Sequence, residues 1–264
     1  MHWQKQFLIE PGKKIRLGDF DPDDTGDLTG KAEAEQIMEQ HAVQLDRLQT
    51  LLYAGARHSV LIVLQGMDGS GKDGTIKHVM RGVNPQGCSV TSFKQPSQNE
   101  LEHDFLWRVH QAVPPRGRIA IFNRSHYEDV LIARVHDLVP KKVWSSRYEQ
   151  INAFEKILAE NSVRILKFFL HISKAEQEKR LKARLSDPEK YWKSSKADFK
   201  ERRYWADYQA AYEAAISKCS TRHAPWFVVP ANQKWFRNVY ISSVLIEELE
   251  SLKMRFPAAG EKSA

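Results

Sequence analysis

Strand-like apolar runs recur along the chain at Val60–Gln65 (VLIVLQ), 88–93 (CSVTSF), 118–123 (RIAIFN), 163–171 (VRILKFFLH) and 226–231 (WFVVPA). Helical stretches separate them, near 74–82, 98–112, 126–137, 141–160, 174–186, 197–217 and 234–253. A further helix is expected over 31–54, where Ala34, Ile37, His41, Leu45, Leu48 and Leu52 recur at helical spacing. Its apolar face should pack on the core or on a second subunit. The alternation predicts an α/β fold: a mainly parallel five-stranded sheet with helices on both faces, in three α/β/α layers. In such a sheet the ligand lies beyond the carboxyl ends of the strands, where Gly66–Asp73, Asn123–Asp129 and the segment after Phe93 would converge.

Length and composition narrow the picture. The 264 residues, 42% of them hydrophobic, suit one domain spanning 1–264. A turn-rich acidic arm and the first helix would occupy about 1–55, the arm lying extended over the body or partly mobile. No apolar run approaches the roughly 18–20 residues that span a bilayer, and the opening MHWQKQFLIE lacks a secretion-signal core, so a cytoplasmic protein with no membrane partner is expected. Cys88 and Cys219 have no metal-ligand spacing and read as reduced thiols. The net charge of +7 points to an anionic partner but does not separate nucleic acid, nucleotide and polyphosphate. No zinc-finger spacing, RNP-like strand or recognition helix stands out, so no nucleic-acid partner is expected.

The first strand runs into GMDGSGKDGT, the layout of a phosphate-binding loop. Gly66, Gly69, Ser70, Gly71 and Gly74 let backbone N–H groups close around an anion, the following helix offers its positive end, and Lys72 supplies a mobile charge. Asp73 stands where the usual motif has Ser or Thr for magnesium. Asp68 places a second acid inside the loop. Two acids in an anion cradle repel phosphate unless a divalent cation bridges them, which implies a highly charged, metal-coated phosphate substrate.

FNRSHYEDV follows the strand RIAI, with Ser125 placed to cap the next turn. A strand ending in polar residues is where enzymes with such loops keep a second metal-binding acid. Here that residue is Asn123, so Glu128 or Asp129 is the expected source of charge, and Asp68 with Asp129 the expected metal pair. Arg124 is the natural phosphate clamp, since a guanidinium binds two oxygens at once. Asn123, Arg124, Tyr127 and Glu128 are the candidate nucleotide contacts. Arg81, Lys94 and Arg134 are further candidate phosphate contacts. Residues 174–203 are densely basic, including Lys190, Lys193 and Lys196. Within them Arg180 and Arg184, i,i+4 neighbours before a Pro-marked break, read as a mobile lid that closes charge over a phosphate chain. Tyr191 or Trp192 could touch a base there.

Taken together, LQGMDGSGKDGT, FNRSHYEDVL, LKFFLHISKAEQEKRLKARL and APWFVVPANQKW resemble the second polyphosphate kinase family over about Phe20 to Phe256. The resemblance implies a P-loop kinase-like fold with a helical lid and Mg²⁺ dependence, Mn²⁺ being a possible substitute. It implies reversible phosphoryl transfer between inorganic polyphosphate and AMP, ADP or ATP, and a homo-oligomer, dimer or tetramer. By the same resemblance Asp68, Lys72, Asp73 and Arg124 are catalytic, and Arg180 and Arg184 are the lid arginines. Many relatives have Asp where this chain has Asn123, and the Asn-Arg-Ser-His-Tyr-Glu-Asp version looks like the branch that accepts AMP as well as ADP. An ATP-dependent nucleoside monophosphate kinase and a non-catalytic polyphosphate- or nucleotide-binding regulator are the alternatives.

Overall fold

A computed structural model describes residues 3–189 and 196–258. The strands are β1 (Leu8–Ile9), β2 (Ser59–Gln65), β3 (Cys88–Ser92), β4 (Ile119–Asn123), β5 (Val163–His171) and β6 (Trp226–Pro230), in the spatial order β1-β6-β5-β2-β4-β3. The long helices are α1 (Lys31–Gly55), α2 (Lys72–Val79), α3 (Lys141–Glu160), α4 (Lys174–Leu185), α5 (Trp205–Cys219) and α6 (Lys234–Ser251). Four of the five strand pairings are parallel, and β1 runs antiparallel to β6. The sheet thus has six strands rather than five. Two residues of the arm, Leu8 opposite Phe227 and Ile9 opposite Trp226, make an element too short to leave a periodic trace.

All seven residues of β2 are buried between β4 and β5. Successive side chains of a strand point to opposite faces. Leu61, Val63, Phe122 and Phe169 therefore join one core with α3 and α5, while Val60, Ile62, Ile121 and Phe168 join the other with α1 and α6. This gives the three layers. The chain leaves β2 toward β3 and β4 on one side and returns to β5 on the other, so the end of β2 is a topological switch point where ligands gather.

The apolar face of α1 packs on the core through Ala34, Leu45, Leu48 and Leu52, and His41 Nδ1 lies 2.7 Å from Ser242 Oγ on α6. The arm is fastened to the body: Leu17 N–H donates to Glu213 Oε1 at 2.7 Å and Ser220 Oγ donates to Ile9 O at 2.5 Å. Three expected helices are interrupted. Within 98–112, the Asp104 carboxylate accepts from Leu106 N–H and offers the backbone a local alternative to helix, leaving Gln98–Leu101 and Trp107–Gln111. Within 126–137, a 3₁₀ turn over His126–Val130, capped by Ser125, precedes a helix over Ile132–Val135. Within 197–217, the 3₁₀ turn Arg202–Tyr204 divides Lys196–Glu201 from α5.

One buried ionic network joins these layers behind the end of the sheet. Lys167, on β5 and fully buried, donates to Glu155 Oε2 at 2.5 Å, Tyr127 Oη at 2.8 Å and the Cys219 carbonyl at 2.7 Å, which uses all three ammonium donors. Tyr127 Oη donates to Glu155 Oε1 at 2.9 Å, and His126 Nε2 lies 3.1 Å from the same oxygen. Burial alone would raise the Glu155 pKa, but Lys167 and His126 outweigh it and hold the carboxyl below its ordinary 4.5. Lys167→Met leaves that carboxylate without its cation and should cost about 3–5 kcal/mol in urea unfolding, most of it recovered in Lys167→Met/Glu155→Leu. Because the folded pKa is the lower one, the stability Glu155 lends is fully present above about pH 4.5 and is lost as pH falls through the folded value, which urea titrations at stepped acid pH will show.

Candidate active site

The loop after β2 is shaped by what holds its carbonyls. Lys72 Nζ donates to Gly66 O at 2.7 Å and, at 3.5 Å, to Met67 O, which also accepts from Ser70 N–H. Gln177 Nε2 donates to Asp68 O at 2.8 Å, Arg180 Nη1 to Gly69 O and Ser70 O at 3.1 and 3.0 Å, and Arg237 Nη1 to Ser70 O at 3.2 Å. Each carbonyl from 66 to 70 thus has a donor, and the first N–H groups of α2 remain as the open polar face of the turn. Gly66, Gly69 and Gly71 have φ of 152°, 82° and 100°, angles that side chains resist. A Cβ at Gly66 would lie 2.9 Å from Leu170 O, and one at Gly71 only 2.2 Å from Arg237 Nη1. Gly74 is in α2, with Arg237 Nη2 3.7 Å from where its Cβ would be.

Strand register brings the second motif to this loop. Asn123 pairs with Leu64, and Arg124 N–H donates to Leu64 O. Arg124 takes φ 62°, a left-handed conformation that costs about 1–2 kcal/mol and turns its side chain back on the loop. Its Nη2 donates to Asp68 Oδ1 at 2.9 Å, and Asn123 Nδ2 donates to Asp73 Oδ1 at 2.7 Å. Both loop acids are therefore held by residues at the end of β4. Glu128 completes the cluster: burial raises its pKa, opposed by Arg124, Lys72 and a hydrogen bond from Gln65. Burial also pushes the Lys72 pKa below its ordinary 10.5, against the pull of Asp68. Tyr212 on α5 stays a protonated donor, its pKa raised well above 10.0 by burial and then by Glu128 and Asp68.

Other expected residues go elsewhere. Tyr127 is fully buried, with its hydroxyl in the Lys167–Glu155 network, and does not face a nucleotide site. Asp129 pairs with Arg147 at 3.1 Å, not with Asp68; adjacent residues of a tight helical turn leave it in different directions, so Glu128 turns to the loop and Asp129 to α3. Arg180 is no free lid arginine. It is 8% exposed, paired with Glu176 at 2.7 Å, and bound to the loop carbonyls from behind and to Ala231 O and Asn232 O. Arg184, one turn on, is half-buried. Arg81 is exposed beyond Val79, the far end of α2 from the loop. Arg134 donates to Ala210 O at 3.4 Å and lines a separate cavity of about 210 Å³ that no loop residue enters. Lys94 is exposed just past the end of β3, on the loop's edge of the sheet. Lys190, Tyr191, Trp192 and Lys193 lie outside the described residues, as does the side chain of Lys196.

Gln65, Gln177, Tyr212 and Arg237 were not singled out by the sequence. Only Arg237 and its neighbour carry a trace of their role, as polar residues within an otherwise apolar stretch, WFRNVYI.

A glycine-rich loop at the switch point of a parallel sheet, with a lysine, two acids and an arginine turned onto it, defines a phosphate-binding α/β protein of the P-loop class. Residues 29–257 match the family described as Polyphosphate kinase 2 (PPK2). The chain is 53% identical to the AMP/ADP-polyphosphate phosphotransferase of Meiothermus ruber, over 96% of this chain and 95% of that one. It is 47% identical to the ADP-polyphosphate phosphotransferase of Rhodopseudomonas palustris, over 96% and 92%. The crystal structure of polyphosphate kinase 2 from Arthrobacter aurescens superposes with a TM-score of 0.95 at 41% identity, covering 99% of this chain and 94% of that one. The chain belongs to the polyphosphate kinase 2 family.

Gly71→Ala should displace Arg237 and strain the loop together, lowering stability by at least about 2 kcal/mol in thermal or urea unfolding. Gly74→Ala, with ordinary contact distances, should cost far less, and the two melts side by side check the assignment.

Proposed function

We propose that this protein transfers a phosphoryl group reversibly between inorganic polyphosphate and adenine nucleotides, making ADP from AMP and ATP from ADP. The observation that carries the reading is the convergence of Lys72, Arg124, Asp68, Asp73 and Glu128 on a loop whose carbonyls are all tied back. The relatives' activities, named for AMP and ADP or for ADP alone, support it. Acceptance of AMP as well as ADP rests on the likeness to the relative named for both nucleotides; Asn123 itself spends its amide on Asp73.

The chemistry asks for positioning and charge. A nucleotide phosphate oxygen attacks the terminal phosphorus of the polyphosphate, the bond to the next phosphate breaks in line, and the shortened chain leaves with the electron pair, with no covalent enzyme intermediate. Lys72 exchanges Gly66 O for an oxygen of the transferring group, and Arg124 spreads its charge over the same group. Arg184, one turn beyond the loop-bound Arg180 on α4, meets the polyphosphate. Arm, lid and sheet belong to one domain.

A divalent cation fits the residues present. Asp68 and Asp73 offer hard carboxylate oxygens that Arg124 and Asn123 already orient, and among the described residues no cluster of three or more His, Cys, Asp or Glu forms an all-protein cage. That donor set suits Mg²⁺, with Mn²⁺ able to substitute, held by one or two carboxylates together with substrate phosphates. When bound, the ion neutralises phosphate charge. The homo-oligomeric state and a cytoplasmic location belong to the same reading. Among the described residues no helix is long and apolar enough to cross a membrane.

The test is nucleotide analysis after incubation with Mg²⁺, polyphosphate and AMP or ADP, without ATP. ADP and ATP from AMP, and ATP from ADP, are expected. Turnover only with ATP as donor would point instead to a nucleoside monophosphate kinase. Lys72→Ala should fold normally by circular dichroism and lose about 10³-fold or more in turnover; near-normal activity would overturn its assignment. Since burial lowers the Lys72 pKa, raising pH removes its charge early, so the alkaline limb of kcat/KM should lie below 10.5.

A further inference from the structure

Arg237 lies in α6 within a run, 236–246, that is buried throughout; it is 1% exposed, between Phe236 and the buried Val239 and Tyr240. Its five N–H donors find Ser70 O at 3.2 Å and Asn238 Oδ1 at 3.2 and 2.8 Å. Among the described residues no carboxylate pairs with it, whereas Lys167 and Arg180, also buried, each have one, Glu155 and Glu176. Its charged neighbour is Arg180, a like charge that shares Ser70 O with it. A buried cation without a counter-charge is expensive, so its place needs a reason that packing does not supply.

Its surroundings give one. The motif glycines Gly71 and Gly74 both border the guanidinium, at 2.2 and 3.7 Å from where a Cβ would be. In a trans peptide the carbonyl and the next N–H point in opposite directions. Two guanidinium N–H groups drawn to Ser70 O therefore aim the Gly71 N–H at the opposite, ligand side. Behind the loop, in a low-dielectric setting, the charge reaches the anion site with little screening.

We propose that Arg237 is a positioning residue of the phosphate site: it fixes the Ser70–Gly71 peptide from behind the loop, and the bound phosphate chain serves as its missing counter-charge. Burial and Arg180 push its pKa down to about 9, a sign of how poorly the charge is compensated within the chain. The inference deepens the reading of this loop as a polyphosphate site and rests on it.

The test compares the full-length protein with Arg237→Gln and Arg237→Lys by calorimetric titration of tripolyphosphate, thermal melting with and without it, and polyphosphate-driven kinetics. Arg237→Gln should bind tripolyphosphate about tenfold or more weakly, and its KM for polyphosphate should rise by a larger factor than kcat falls. Its melting temperature without ligand should hold or rise, because an uncompensated charge is gone, while the upward shift caused by tripolyphosphate shrinks. Arg237→Lys keeps the charge but not the fork, and should fall between the two in affinity; it keeps the test decisive if the glutamine variant does not fold. A lowered melting temperature with wild-type affinity in either variant would make Arg237 a structural residue only and overturn the proposal. Failure of the wild-type protein to use polyphosphate would count against the functional reading instead, and the binding comparison separates the two.

Discussion

The rest of the site depends on one constraint: the carbonyl groups of the loop at 66–70 must face away from the anion. A turn of five peptides has as many acceptors as donors, and it attracts phosphate only if the acceptors are occupied elsewhere. Here the occupants are side chains from three helices. Lys72 belongs to α2, Gln177 and Arg180 to α4, and Arg237 to α6. Gly71 follows from the same constraint, because it leaves the room in which Arg237 reaches Ser70 O, while Gly66 makes way for the neighbouring Leu170 carbonyl. Orienting the peptides before substrate arrives spares the reaction the cost of reorganisation.

The loop works only in company with the turn after β4, and the sheet sets that distance. Parallel pairing of β2 with β4 delivers Asn123 and Arg124 to the two loop acids, while the Lys167–Glu155 network fixes His126 and Tyr127 from the core side. The residues of one short segment, Asn123 to Asp129, thus alternate between site and scaffold. A buried ion pair of this kind contributes little net stability relative to an apolar pair, and its value here is geometric: it leaves the turn one arrangement.

Much of this was legible in the chain. Continuous apolar runs gave the five longer strands, helical spacing gave α1, α3 and α6, and the spacing from Gly66 to Lys72 located the loop. Asp68, Lys72, Asp73, Asn123, Arg124 and Glu128 come together as their motifs suggested, because strand ends and turn types are local properties. What escaped is what depends on orientation or on distant contacts. Position in the sequence does not say that Tyr127 and Asp129 turn away while Glu128 turns in. It does not say that Arg180 bends under the loop rather than over it, since that follows from where α4 docks. Gln177 and Arg237 meet the loop across 109 and 167 residues, and β1 is two residues held by a register no local pattern encodes.

The most direct test of the account is a crystal structure of the protein with tripolyphosphate and Mg²⁺. The expected result places phosphate oxygens on the N–H side of the turn leading into α2, with the bonds from Gln177, Arg180 and Arg237 to the loop carbonyls intact and Lys72 moved from Gly66 O to the anion. A phosphate chain held by the surface lysines of α4 with the loop untouched, or a loop whose carbonyls had swung inward on binding, would contradict it.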